Sequence, residues 1–347
     1  MKNATRAKFN AMVSQIALLN GIDPTVVTTS KFTATPSVQQ KLEQRVQESS
    51  DFLSKINVVP VDEMSGELIG LGVGSPIASR TDTAGGNRRL GRDVSALDNR
   101  TYTCKQTNFD VALGYAKLDM WAKFPNFETV WRDNNVKRIA LDRILIGFNG
   151  TSAAAATDPG TTPTLSNVNI GWLQKMRTEN AARVLSDGAD TATGFTGKVT
   201  YGSAATADYK TLDALVWDAK ESLLAAWAKD DTQLVVIVSG DLLHDKYFPL
   251  INSDEAPTEQ LARDVIMSTK RLGGLPALRV PGFPTGTVFI TRLDNLSIYY
   301  QDGKLRRNIK DEPEYDRVTD YQSSNEAYVI ENLEVACLVE NIAENNG

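Results

Sequence analysis

The chain of 347 residues is 41% hydrophobic and 23% charged, long enough for about two domains, and reads as soluble and globular. Its net charge of −6 argues against a protein that grips nucleic acid by neutralising phosphates. No stretch approaches the run of about 18 uncharged apolar residues that a membrane-spanning helix needs, and the N-terminus lacks the apolar core and cleavage site of a secretion signal.

The charge is uneven. Residues 310–347 carry ten acids and two bases, whereas the first 31 carry four bases and one acid. Opposed ends of this kind suit contact with other charged protein surfaces, or ordinary solvated faces. The two cysteines, Cys104 and Cys337, lie far apart and flank no motif, which suits a reducing compartment and offers no metal-ligating set.

In chain order, residues 4–19 predict an amphipathic helix, with Phe9, Met12, Val13, Ile16 and Leu19 at helical spacing and a stop at Asn20-Gly21. A looser segment, TVVTTSKFTATPS, precedes a second helix running from Pro36-Ser37 to about Leu53. Ile56–Val61 reads as a strand. Twelve of the 27 residues from Ser65 to Gly91 are Gly, Ser or Thr, and Arg80–Arg92 holds four arginines and one acid. NFDVALGYAK alternates as a strand should, so 56–117 reads as one long excursion: strand out, glycine-rich tip, strand back.

The longest helix signal covers Phe127–Phe148, with Val136, Ala140 and Ile144 in one row and Leu141, Leu145 and Phe148 in the next. Asp133–Lys137 and Arg138–Asp142 are spaced for i,i+4 pairing on its outer side. Gly147 and Asn149-Gly150 read as its stop. After a Thr/Ala-rich loop, LSNVNIGWLQKMRTENAARVL predicts a helix and 186–208 an exposed loop. Leu212 to Trp227 carries a firm helical stripe, and QLVVIVS has the continuous apolar character of a central strand. PALRVP, TVFIT and LSIYY follow, so that 212–301 reads as one mixed helix–sheet domain, and AYVIENLEVACLVENI reads as a long final strand.

No catalytic set emerges. A Gly-x-Gly-x-x-Gly pattern starting at Gly70 or Gly72 needs glycine where Ser75 or Ile77 stands, and Pro76 forbids the helix whose N-terminus would hold phosphate. His244 is the only histidine. Ser239, Asp241 and Asp245 lie near it, which leaves a Ser–His–Asp hydrolase as one alternative. The bland reading is a strand end, a turn and a helix start. The five tryptophans sit in helical surroundings and suit core or interface positions. What remains is an odd shape: an isolated two-stranded ribbon is marginal in water, so the long hairpin and the N-terminal helices need a surface. A neighbouring copy is the economical one, and it points to a self-assembling structural protein.

Eight collinear blocks carry a resemblance across nearly the whole chain, among them VQESSDFLSKINVVPVDEMSGELIGLGVGSPIASRTDTAGG, NFDVALGYAKLDMWAKF, LVVIVSGDLLHDKYFPLIN, LDNLSIYYQDGKLRRNIKDEPEYDRV and YVIENLEVACLVE. Only 151–164 and 186–208 go unmatched. The chain resembles the major capsid proteins of peduovirus-type, contractile-tailed phages. The resemblance implies an α+β protein of the Hong Kong 97-type capsid fold, with an N-terminal arm (1–55), an extended loop (56–117), a peripheral domain with its spine helix (118–164), an axial domain (165–305) and peripheral return strands (306–347).

It further implies a non-enzymatic protein without cofactor. Its partners would be copies of itself in pentamers and hexamers, a scaffolding or protease protein, portal and decoration proteins, and packaged DNA held weakly. Assembly would take place in the host cytoplasm. Arg80, Arg88, Arg89 and Arg92 become candidates for pairing with acids on neighbouring subunits. Lys31-Phe32, in the looser segment, becomes the candidate maturation cleavage point. An encapsulin-like cellular compartment shares the fold and stands as the alternative shell.

Overall fold

The computed structural model describes residues 1–68, 78–81, 83, 88–89, 100–124, 127–251 and 270–347. The first helix, α1, spans Asn3–Asn20 and ends where Gly21 takes φ 64°, its N–H reaching back to Ala17 and Leu18 carbonyls. Phe9, Val13 and Ala17 face inward, but Leu19 is 62% exposed, because the packed stripe is narrower than the apolar one.

The expected loose segment is ordered. Pro24–Thr29 forms α2, capped by the Asp23 carboxylate accepting from the Thr25 N–H, and Phe32–Thr33 forms strand β1. Helix α3 covers Pro36–Glu48 and stops five residues before the expected end at Leu53, since 53–55 form a separate 3-10 turn.

Strands β2 (Asn57–Val61), β3 (Ser65–Glu67), β4 (Thr101–Thr103), β5 (Lys105–Asn108) and β6 (Val111–Gly114) follow, then α4 (Tyr115–Trp121) and the 23-residue α5 (Phe127–Asn149). The hairpin closes through β3 and β4, with Gly66 opposite Tyr102. The outer strands do not pair with each other: β2 runs parallel to β13 (Leu296–Gln301), and β5 and β6 run antiparallel to β15 (Arg317–Ile330).

The fourteen-residue β15 organises a seven-stranded sheet in the order β1-β14-β15-β13-β2, with β5 and β6 also on β15. Here β14 spans Arg306–Glu312. It joins β15 through a turn at Pro313–Tyr315 closed by Asp316 at φ 49°.

A second, six-stranded sheet lies between α6 (Trp172–Glu179) and α7 (Leu212–Leu223) in sequence and beyond. Its order is β10-β11-β9-β12-β16-β7. The strands are β7 (Val184–Leu185), β9 (Val235–Val238), β10 (Arg271–Leu272), β11 (Leu275–Leu278), β12 (Val288–Thr291) and β16 (Cys337–Val339), and α8 (Gly240–Ile251) follows β9. The expected single domain 212–301 therefore loses its last strand, β13, to the other sheet. The expected long final strand breaks at a 3-10 turn, Leu333–Val335, so that β16 crosses into the six-stranded sheet.

The expected loop 186–208 also contains structure: β8 (Val199–Tyr201) is wholly buried and pairs in parallel with β17 (Ile342–Glu344). The Asp190 carboxylate accepts from the Thr200 hydroxyl at 3.1 Å and from the Asn345 amide at 2.6 Å. Those polar residues satisfy one another, which is why a polar stretch hides a buried strand.

Helix α5 buries Val136, Ile139, Ala140, Ile144, Ile146 and Phe148, while Leu141, expected inside, is 38% exposed. Of the expected i,i+4 pairs, Arg138–Asp142 forms at 2.5 Å, and Asp133 instead meets Arg132 at 3.3 Å. Gly147 does not end the helix. A Cβ there would stand 2.3 Å from the Trp172 ring, so glycine lets the indole lie directly on the helix backbone. The Trp172 ring meets those of Phe52, Phe148 and Tyr328 edge-on at centroid distances of 6.3, 5.0 and 5.4 Å, and Phe52 and Phe148 tilt against each other at 5.5 Å.

A second core gathers α7 residues Leu215, Val216 and Ala219 under Val236, Val238, Val288 and Ile290. Both cysteines are buried and unbridged, and burial pushes the thiol of Cys104 up to about 11 and that of Cys337 up to about 12.

Candidate assembly surfaces

The extended loop leaves a fixed base. Met64 and Leu68 extend the β3–β4 ladder, with Cys104 N–H to the Met64 carbonyl at 2.7 Å and Leu68 N–H to the Arg100 carbonyl at 2.8 Å. Tyr102 covers Gly66, where a Cβ would come within 2.8 Å of its ring, and meets Tyr299 edge-on at 5.2 Å. Arg100 donates to the carbonyls of Ile330 and Glu331, both at 2.8 Å, and approaches Glu179 at 3.7 Å. One arginine thus fastens the returning limb to the end of β15. Of the four candidate loop arginines, Arg80, Arg88 and Arg89 are exposed, and Arg92 lies outside the described residues.

The N-terminal helices rest on their own chain, which revises the expectation that a neighbour supplies their surface. Phe9, Val13, Ala17 and Val27 pack with Leu118, Trp131, Ile309 and Val318. The basic end meets acids on the same subunit. Arg6 pairs with Asp311 at 3.0 Å, and Asp119 accepts from the Lys2 N–H at 2.9 Å and the Thr5 hydroxyl at 2.7 Å. Asn308 holds the arm from below, donating to the carbonyls of Val27 and Ser30. At the candidate cleavage point Lys31 is exposed, but Phe32 is buried and registers with Arg307 in the sheet.

Helix α3 is locked to the spine by a buried charge cluster. Arg143 on α5 bonds both Glu43 oxygens at 2.6 and 3.1 Å and Glu326 of β15 at 2.7 Å, and all three side chains are buried. Burial opposes the guanidinium charge, but Glu326 and Glu43 override it and hold the Arg143 pKa well above its ordinary value.

A second, outer cluster closes the β14–β15 hairpin. Glu312 accepts from Arg317 at 2.7 Å, Tyr321 at 2.8 Å and Thr319 at 2.9 Å, which together lower its carboxyl from 4.5 to about 2. A depressed carboxyl contributes stability above its ordinary pKa and loses it as pH falls toward the folded value. Glu312→Gln is therefore expected to melt below the native chain near neutral pH, with the gap closing between pH 4.5 and about 2. Thermal melts across that range check it; a gap independent of pH contradicts it.

The hydrolase alternative finds no site. Ser239 is fully buried at the start of α8, while the His244 side chain is 63% exposed and meets Asp245 at 3.4 Å. Among the described residues no cluster of three or more His, Cys, Asp or Glu side chains is arranged to hold a metal ion, and no helix is long and apolar enough to cross a membrane.

The 23-residue α5, whose core reaches residues of both sheets, the β3–β4 hairpin on its fastened base and the N-terminal helices folded on their own chain together make the Hong Kong 97-type fold of a phage capsid subunit. The chain belongs to the phage major capsid protein P2 family, whose pattern matches residues 8–342. It is 49% identical to the capsid proteins of Escherichia phage P2 over 99% of this chain and 95% of that one. It is 41% identical to the major capsid protein of Serratia phage KSP20 over the full length of both. A chain of the satellite phage P4 procapsid that includes the size determination (Sid) protein superposes with TM-score 0.81 at 46% identity, covering 100% of this chain and 99% of that one. The compartment and hydrolase alternatives give way to this membership.

Proposed function

We propose that this major capsid protein self-assembles, as pentamers and hexamers, into an icosahedral shell around double-stranded DNA in the host cytoplasm, and that it performs no catalysis. The observation that carries the reading is the full-length relationship to phage capsid proteins, which runs through arm, loop and both sheets together. Closed shells multiply many weak contacts, so no single interface has to be strong. Contacts between copies would together bury on the order of 2,000 Å² per subunit, an obligate-type area. The acidic balance of the chain keeps DNA adhesion weak, which favours packaging and ejection.

In this scheme the part of the 56–117 excursion beyond the β3–β4 base drapes over a neighbour, and Arg80, Arg88, Arg89 and Arg92 pair with its acids. The seven-stranded sheet with α5 forms the peripheral body, and the six-stranded sheet faces the symmetry axes. Scaffolding or protease, portal and decoration proteins are the further partners. A maturation cut at Lys31-Phe32 would require β1 to peel from β14 first, because a paired strand does not fit a protease cleft. The test is the triple reversal R80E/R88E/R89E. It is expected to leave the thermal midpoint of the free subunit unchanged, since all three side chains are exposed, and to reduce the yield of shells at least tenfold. Undiminished shell yield would remove the loop arginines from the contact.

A further inference from the structure

Beside the candidate cleavage point lies a small polar pocket of about 40 Å³, with Lys31, Asn108, Asp110, Arg306, Tyr321 and Ser323 among its walls. Those walls come from the chain just before β1, from the β5–β6 junction, and from β14 and β15. A water needs about 10–15 Å³ of such space, so the pocket has room for two or three groups of that size and for no larger ligand. An ammonium group is of that size.

Asp110 is the one acid on the described walls. One of its oxygens accepts from the Gln322 N–H at 3.1 Å. Among the described residues Lys31 and Arg306, the cations on the same walls, make no hydrogen bond or close ion pair with it. Partial burial pushes its carboxyl above the ordinary range; the Gln322 N–H and the charge of Lys31 pull the other way, and Asp320 adds to the rise. Asp320 is itself held by Arg307 at 2.9 and 2.7 Å. Asp110 is therefore the acid of this region that lacks a close counter-charge.

Hydrolysis of the Lys31–Phe32 bond adds one water. It leaves Lys31 as a carboxylate on the departing segment and frees the Phe32 nitrogen as an amine, which takes up a proton near neutral pH. Phe32 itself has reasons to stay in place. Its ring belongs to a buried cluster that includes Ile309 and Val318 of the sheet, its backbone registers with Arg307, and the Ala34 N–H bonds the Leu305 carbonyl at 2.9 Å. The departing segment carries the Lys31 charge away from Asp110, and the new ammonium appears one residue along the chain, at the same wall.

We propose that this pocket receives the amino terminus created by the cut, with the Phe32 ammonium paired to the Asp110 carboxylate. A charge-assisted bond of this kind is short and strong, and the Asn108 and Ser323 side chains offer oxygens to the remaining hydrogens. The pair ties β1 to the β5–β6 junction across β15 and fastens the new end of the chain. The inference rests on the cleavage reading above.

The test uses shells of the full chain assembled with its genomic neighbours, in a cut form and in an uncut form made with the protease inactivated. Intact mass establishes which chains begin at Phe32. Asp110→Asn is expected to lower the melting midpoint of cut shells by a few degrees and not to lower that of uncut shells, which have no ammonium at this place. A second measurement acylates the α-amines of cut shells at neutral pH. The Phe32 amine is expected to react at least tenfold more slowly in native shells than in D110N shells, because the carboxylate holds it protonated. Equal losses of stability in cut and uncut shells, or equal reactivity of Phe32 in the two proteins, overturn the inference and leave the cleavage reading standing. Native shells whose chains still begin ahead of Phe32 overturn the cleavage reading, and the role of the pocket with it.

Discussion

Arg143→Met is expected to destabilise the subunit by about 3–5 kcal/mol, because it leaves two carboxylates buried without a counter-charge. The Glu43 and Glu326 side chains are 5% and 0% exposed, and both bond the same guanidinium, so neither has water to turn to. Glu326 retains the Ser324 hydroxyl as a donor, which softens the loss without replacing a cation. A drop in thermal midpoint on the order of 10 °C would follow. The triple variant R143M/E43Q/E326Q should recover most of the loss, since a buried ion cluster exchanged for neutral groups costs far less than one broken in half. The three residues come from α3, α5 and β15, so the single variant should also free α3 from the spine. Protection of α3 amides in hydrogen exchange would fall before that of β13. A loss below about 1 kcal/mol would show that water reaches the carboxylates.

Trp172→Ala is expected to cost a similar amount, about 3–5 kcal/mol, by a different route. Trp172 is wholly buried, stacks on Phe52, Phe148 and Tyr328, and donates its indole N–H to the Ser297 carbonyl at 3.2 Å. Removal leaves a cavity that its neighbours cannot close, because the aromatic rings are braced against Phe283 and the helix backbone at Gly147. Trp172→Phe should recover part of the loss, and Gly147→Ala should fail as badly as the alanine variant, since its methyl would strike the indole at 2.3 Å. Chemical denaturation of the free subunit checks the order native, then Phe, then Ala; equal stability of all three would place the core elsewhere.

Periodic elements were legible from the residues alone. α1, α5 and α7 follow from apolar spacing, and β9 from the run of five apolar residues Leu234–Val238 bounded by Gln233 and Ser239. Pairings were not legible. Nothing local tells β13 to join β15 rather than β12, because Leu296–Gln301 and Val288–Thr291 are equally apolar and only five residues apart. β8 was hidden because its burial depends on Asp190, Asn345 and Thr200 meeting from three distant segments. Gly147 misled for a related reason: a helical glycine looks like a stop until its distant tryptophan is in place.

The site divides in the same way. The basic loop was visible as composition, yet its fastening by Arg100 to the carbonyls of Ile330 and Glu331 joins residues some 230 apart in the chain. The Arg143 cluster likewise gave no motif, because Arg143 sits among ordinary helix charges and its partners Glu43 and Glu326 lie 100 and 183 residues away.

Shell formation itself is tested most directly by sedimentation velocity with negative-stain electron microscopy on the chain co-expressed with its genomic neighbours. Closed icosahedral particles, or rings of five and six subunits, sedimenting far ahead of the free subunit are the predicted result. A single species of monomer or dimer under every condition, with the subunit folded, would contradict it.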